Sequence, residues 1–122
     1  MAKATGIGGV FLRARDPKAL YAWYEKHLGL PLAYGSFAIP AENERAMIAF
    51  SFFSEKSDYF PTTQPAMINL QVDDLDKLLD QLTAAGVTVD PKRDSADYGK
   101  FGWITDPEGN RVELWEPADE KS

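Results

Sequence analysis

Cysteine is absent from the 122 residues, and histidine occurs once. Without a thiol there is no disulfide, no thiolate metal site and no cysteine nucleophile. A cytoplasmic, reducing setting is therefore expected. Basic residues are also scarce, with 13 Lys and Arg against 19 Asp and Glu and a net charge of −6. An acidic surface repels phosphate backbones and anionic lipid, so neither a nucleic-acid partner nor a membrane partner is expected. The apolar stretches fall far short of the ~20 residues that span a bilayer. Met1 to Gly6 lacks the long apolar core of a signal peptide.

What is present is a balanced soluble composition, 44% hydrophobic and 26% charged. One domain of this length buries about two thirds of its unfolded surface and needs no staple. Val10, Leu12 and Ala14 alternate as on a half-buried strand. Asp16-Pro17 is a cap signal, and Leu20, Trp23, Tyr24, His27 and Leu28 then recur at helical spacing up to Gly29. Leu30 to Tyr34, Phe37 to Pro40 and Ala46 to Phe53 read as further strands separated by turn residues. The polar stretch 54–65 reads as a linker.

The same order then restarts. Ile68, Leu70 and Val72 share a strand face, and Asp73-Asp74 gives the cap signal. Leu75, Leu78, Leu79 and Leu82 form a helical stripe ending at Gly86. Val87 to Val89, Lys100 to Thr105 and Arg111 to Glu116 read as strands, the last two joined by a turn at Asp106 to Asn110. Shifted by 58 positions, the halves superpose in strand face, cap and helix stripe. The expected fold class is α+β. One domain, 1–122, holds two βαβββ modules, about 6–53 and 66–117, which form a curled mixed sheet around a cleft.

Gly6 to Asp16 with Tyr21, Trp23, Tyr24 and Leu28-Gly29-Leu30, together with Tyr98 to Pro117, resemble the vicinal-oxygen-chelate superfamily of glyoxalases, bleomycin-resistance proteins and extradiol dioxygenases. The run Asp106-Pro107-Glu108-Gly109-Asn110-Arg111-Val112-Glu113-Leu114 is its most specific part. The resemblance implies a cleft lined by one face of each strand. Strand alternation assigns Gly9, Phe11, Arg13, Met47, Ala49, Met67, Asn69, Gln71, Trp103, Arg111, Glu113 and Trp115 to that face. Val10 and Leu12 take the helix side.

The resemblance also implies metal ligands at Gly9, Ala49, Met67 and Glu113, on the first and last strands of the modules. Only Glu113 carries a hard donor, and a methionine thioether binds hard divalent ions poorly. No metal and no cofactor is therefore expected. Lone His27 falls on the helix and reads as structural, so a Ser-His-Asp arrangement is not expected. Glu113 is the candidate catalytic residue. It either pairs with Arg13 or Arg111, or binds a ligand cation or acts as a general base. The candidate ligand-binding residues are Phe11, Arg13, Met47, Met67, Asn69, Trp103, Arg111 and Trp115, with the tryptophans stacking a small planar ligand. Three functions compete: a metal-free small-molecule binder, an enzyme (a lyase, isomerase or dioxygenase with a displaced metal site, or Glu113 as acid and base), and a protein whose cleft is filled by its own side chains. Family members pair modules across a two-fold axis, so a homodimer is expected.

Overall fold

The computed structural model describes residues 10–33, 35–39, 49 and 51–118. Helix α1 (Pro17–Leu28) starts where the Asp16 carboxylate accepts from the Ala19 N–H, with proline opening its first turn. It ends at Gly29, whose φ of 66° returns its N–H to the Glu25 carbonyl. A short hairpin follows, β1 (Leu32–Ala33) and β2 (Ser36–Phe37).

The second half is a complete βαβββ unit: β3 (Ile68–Gln71), α2 (Leu75–Ala84), β4 (Thr88–Ala96), β5 (Gly99–Thr105) and β6 (Arg111–Pro117). Its sheet runs in the order β3-β6-β5-β4. The β3–β6 pair is parallel and the other two pairs are antiparallel. The fold is α+β, with two helices and two separate sheets among the described residues. No helix among the described residues is long and apolar enough to cross a membrane.

Helix α2 covers one face of this sheet. Leu75, Leu79 and Leu82 pack on Ile104, Val112 and Leu114, all of them buried. At Gly102 the helix comes so close that a Cβ would lie 2.7 Å from a Leu79 methyl. Helix α1 is tied on by a polar device. Tyr24 donates its hydroxyl to the buried Asp106 carboxylate at 2.8 Å. The same carboxylate accepts from the N–H groups of Glu108 and Asn110 and from the Asn110 side chain, closing the β5–β6 turn. Glu108 then accepts from the Arg15 guanidinium and the Asp16 N–H at the start of α1. The turn that carried the family resemblance is thus the socket for the first helix.

The structure corrects several expectations. Residues 10–14 form no strand: Val10 and Leu12 are 60% and 48% exposed rather than packed under a helix. Alternation reports a face that can be buried, not a partner strand, and none of the described strands runs beside this segment. Of the expected strand from Ala46 to Phe53, Ala49 and residues 51–53 lie outside any strand. Residues 46–48 and 50 lie outside the described residues. Conversely, the strand expected at Val87 to Val89 continues to Ala96, with a register shift between Val89 and Arg93. Its polar run hid it. As the edge strand, β4 exposes most of its side chains and accommodates Pro91 within the irregular stretch.

Candidate functional site

The sheet face away from α2 is built by β-strand alternation. Because Gly102, Ile104, Val112 and Leu114 turn to the helix, their neighbours Phe101, Trp103, Arg111, Glu113 and Trp115 turn the other way. The register places Asn69, Glu113 and Trp103 side by side across β3, β6 and β5.

Glu113 is the centre of this row and is only 8% exposed. Its carboxylate accepts from Asn69 Nδ2 at 2.7 Å, from Trp103 Nε1 at 3.0 Å and from the Tyr59 hydroxyl. The expected pairing with Arg13 or Arg111 does not form. Arg111 instead binds Asp90 at 3.0 Å, with its guanidinium carbon 5.3 Å from the Trp103 ring centre. The Lys92 N–H and the Arg111 guanidinium hold the Asp90 carboxyl below the usual carboxylate range. Lys92 Nζ is a second cation over the Trp103 ring, at 5.8 Å.

The stretch expected to be a plain linker lies across this face as a strap. Tyr59 meets Trp103 edge-on at 5.8 Å and stacks on Phe53 at 5.2 Å. Burial, and next the hydrogen bond to Glu113, push the Tyr59 hydroxyl well above its ordinary pKa. Gln64 then exchanges two hydrogen bonds of 2.8 Å with the Arg111 backbone, N–H and C=O alike, as a neighbouring strand would. Tyr59, Gln64 and Asp90 are thus site residues that reading the sequence missed. The signal for the first was the aromatic pair Tyr59-Phe60 inside an otherwise polar stretch.

Two residues along the strands, Phe101 and Trp115 lie parallel, with centroids 6.1 Å apart. Tyr98 closes on Phe101 at 5.6 Å and accepts the Trp115 indole N–H on its carbonyl. Both rings of the parallel pair are partly open to solvent. The structure therefore joins Glu113, Trp103, Asn69 and Arg111, with Trp115 adjacent. Met67 is half-buried immediately before β3. Trp103 is 1% exposed and is not an open stacking surface. Phe11, 94% exposed, and Arg13 lie outside any strand, so they do not line the sheet as expected. Met47 lies outside the described residues.

A metal fits this arrangement poorly. Glu113 is turned toward three N–H and O–H donors, which is how a carboxylate acceptor is satisfied rather than how a cation is held. Among the described residues no three His, Asp or Glu side chains gather at one point. Ala49 is exposed and has no donor atom, and Gly9 lies outside the described residues.

A profile of the Glyoxalase/Bleomycin resistance protein/Dioxygenase superfamily matches residues 6–114, and the chain belongs to that superfamily. Solved structures share the fold at low identity. An integron cassette protein of V. Cholerae is 19% identical, covering 97% of this chain and 99% of its own, with a TM-score of 0.61. Lactoylglutathione lyase from Agrobacterium tumefaciens is 19% identical, with coverages of 92% and 96% and a TM-score of 0.55. TnmS3, an antibiotic binding protein from Streptomyces sp. CB03234, is 22% identical, with coverages of 94% and 100% and a TM-score of 0.54. A comparison with curated protein sequences finds no match.

Proposed function

We propose that this protein binds a small planar organic molecule on the front face of the second module's sheet, without a metal, and sequesters rather than transforms it. The observation that carries this reading is the Asn69–Glu113–Trp103 row beside the half-open Phe101–Trp115 pair. Aromatic walls with one buried acceptor suit an apolar ring bearing a polar edge. The antibiotic-binding relative supports such a role for this fold. An acid–base role for Glu113 is less well supported, since both its oxygens already hold donors. The acidic balance favours a neutral or cationic ligand over an anion. The proposed setting is the cytoplasm.

Titration with cationic, neutral and anionic aromatics, followed by tryptophan fluorescence, is expected to give saturable quenching with the first two classes. Pretreatment with EDTA should leave the affinity and the melting temperature unchanged. Selective response to anions contradicts the charge assignment, and loss of binding with EDTA contradicts metal independence.

A homodimer is part of this proposal. Val10, Phe11, Leu12, Leu32 and Ile39 expose apolar surface in the first half, and β3 ends its sheet. Light scattering at micromolar concentration should give twice the chain mass. A mass of one chain contradicts it.

A further inference from the structure

The third donor to Glu113 comes from a different source than the other two. Asn69 and Trp103 sit on strands of the sheet, whereas the Tyr59 hydroxyl is delivered by the strap that crosses it. The strap is lightly held. Residues 51–63 are exposed apart from half-buried Ser57 and Phe60. Local hydrogen bonds within it include Ser57 N–H to the Ser54 carbonyl, Lys56 N–H to Ser54 Oγ, Tyr59 N–H to Ser57 Oγ, and Gln64 N–H to the Pro61 carbonyl. At the downstream end, the two Gln64–Arg111 bonds make a fixed point. Between Ser57 and that point, the strap is tied to the sheet by the Tyr59 hydroxyl on Glu113 and by the Arg111 Nε–H on the Tyr59 carbonyl. Segments with so few buried contacts open locally at low free-energy cost.

Resting on the ligand-binding reading above, we propose that Tyr59 occupies the ligand's place, and that the ligand is an aryl hydrogen-bond donor, a phenol or an arylamine. The strap residue defines this chemistry. It sets a six-membered ring edge-on to Trp103 and directs an O–H into a carboxylate that accepts only. When the strap lifts, Glu113 keeps Asn69 and Trp103 and lacks one donor. A ligand that brings an N–H or O–H on an aromatic ring restores the count. An aryl ether or a phenolate brings none, and the phenolate adds a negative charge beside Glu113. The Arg111 guanidinium over the Trp103 ring is already matched by Asp90, and Lys92 Nζ lies over the same ring, so Glu113 is the acceptor left for the ligand's donor. Tyr59 is therefore both the latch of the strap and the competitor of the ligand.

The test uses 2-naphthol and 2-methoxynaphthalene, a pair that differs in the donor, with calorimetry on the wild type and on Tyr59→Phe. The variant keeps the ring and removes the latch hydrogen bond. The expected result is that 2-naphthol binds Tyr59→Phe about tenfold more tightly than wild type, the scale of one hydrogen bond to a charged acceptor. In both proteins 2-naphthol should bind about tenfold more tightly than its methyl ether. Exchange of the Trp103 indole N–H, read by NMR, should accelerate about tenfold in the variant, while the amides of Ile104 and Val112 keep their rates. Equal binding of the two compounds, or no gain in Tyr59→Phe, overturns the proposal. Failure of both compounds to bind also overturns it. Accelerated indole exchange in the same sample then places the failure in the ligand reading, and unchanged exchange places it in the strap.

Discussion

Asp106→Ala is expected to lower the unfolding free energy by about 3 kcal/mol or more, read by urea denaturation with circular dichroism. Asp106 is 4% exposed, and its carboxylate accepts four hydrogen bonds, from Tyr24, Glu108 and twice from Asn110. Alanine removes the acceptor and leaves the Tyr24 hydroxyl, in a residue 8% exposed, without its partner. Loosening of the β5–β6 turn also frees Glu108 from Arg15 and Asp16, so α1 loses both of its ties together. A loss under about 1 kcal/mol would contradict this role for the turn. Burial, and next the bond to Asp106, push the Tyr24 hydroxyl far above its ordinary value. A tyrosine whose pKa is raised on folding adds stability that is fully present below its unfolded pKa, about 10, and fades as pH rises toward the folded one. Stability should therefore fall with pH above about 10, and Tyr24→Phe should flatten that decline.

Glu113→Leu is the second large effect, and it separates the site from a simple apolar core. Leucine fills similar space and removes the acceptor. Tyr59 and Asn69 stand on exposed residues and can turn to water, but the Trp103 indole N–H lies in a side chain 1% exposed and reaches water only when the strap lifts. One orphaned buried donor costs about 1–3 kcal/mol, so a stability loss near 2 kcal/mol is expected. Glu113→Gln keeps an acceptor oxygen and should lose less. Affinity for 2-naphthol should drop about tenfold or more in the leucine variant, since its hydroxyl then has no acceptor. Leucine at wild-type stability would mean that the row across β3, β6 and β5 is not held by its carboxylate.

The sequence made the helices and their caps readable because caps and stripes are local. Asp16-Pro17, Gly29 and the leucines of α2 act within a few residues of one another. It also placed Glu113, Trp103, Trp115 and Asn69 on one face, because period-two alternation survives wherever a partner strand exists. The misses share a physical origin. At residues 10–14 the alternation was present, but no partner strand lies among the described residues. In β4 an edge position removed the apolar signal. The Tyr59–Glu113 and Gln64–Arg111 bonds join residues about half a chain apart, and no spacing rule reaches that far. The exposure of Trp103 was misjudged for the same reason: alternation assigns a face but not what lies over it.

The three tryptophans give the most direct reading of where a ligand sits. Trp103 and Trp115 lie on the front face of the sheet, and Trp23 lies on α1 against Tyr24 and His27. In a proton–nitrogen NMR titration of the wild type with 2-naphthol, the indole signals of Trp103 and Trp115 should shift together and saturate at one dissociation constant. The Trp23 signal should stay in place. A saturable shift confined to Trp23, or no saturable shift at any of the three, would contradict a ligand site on the Glu113 face.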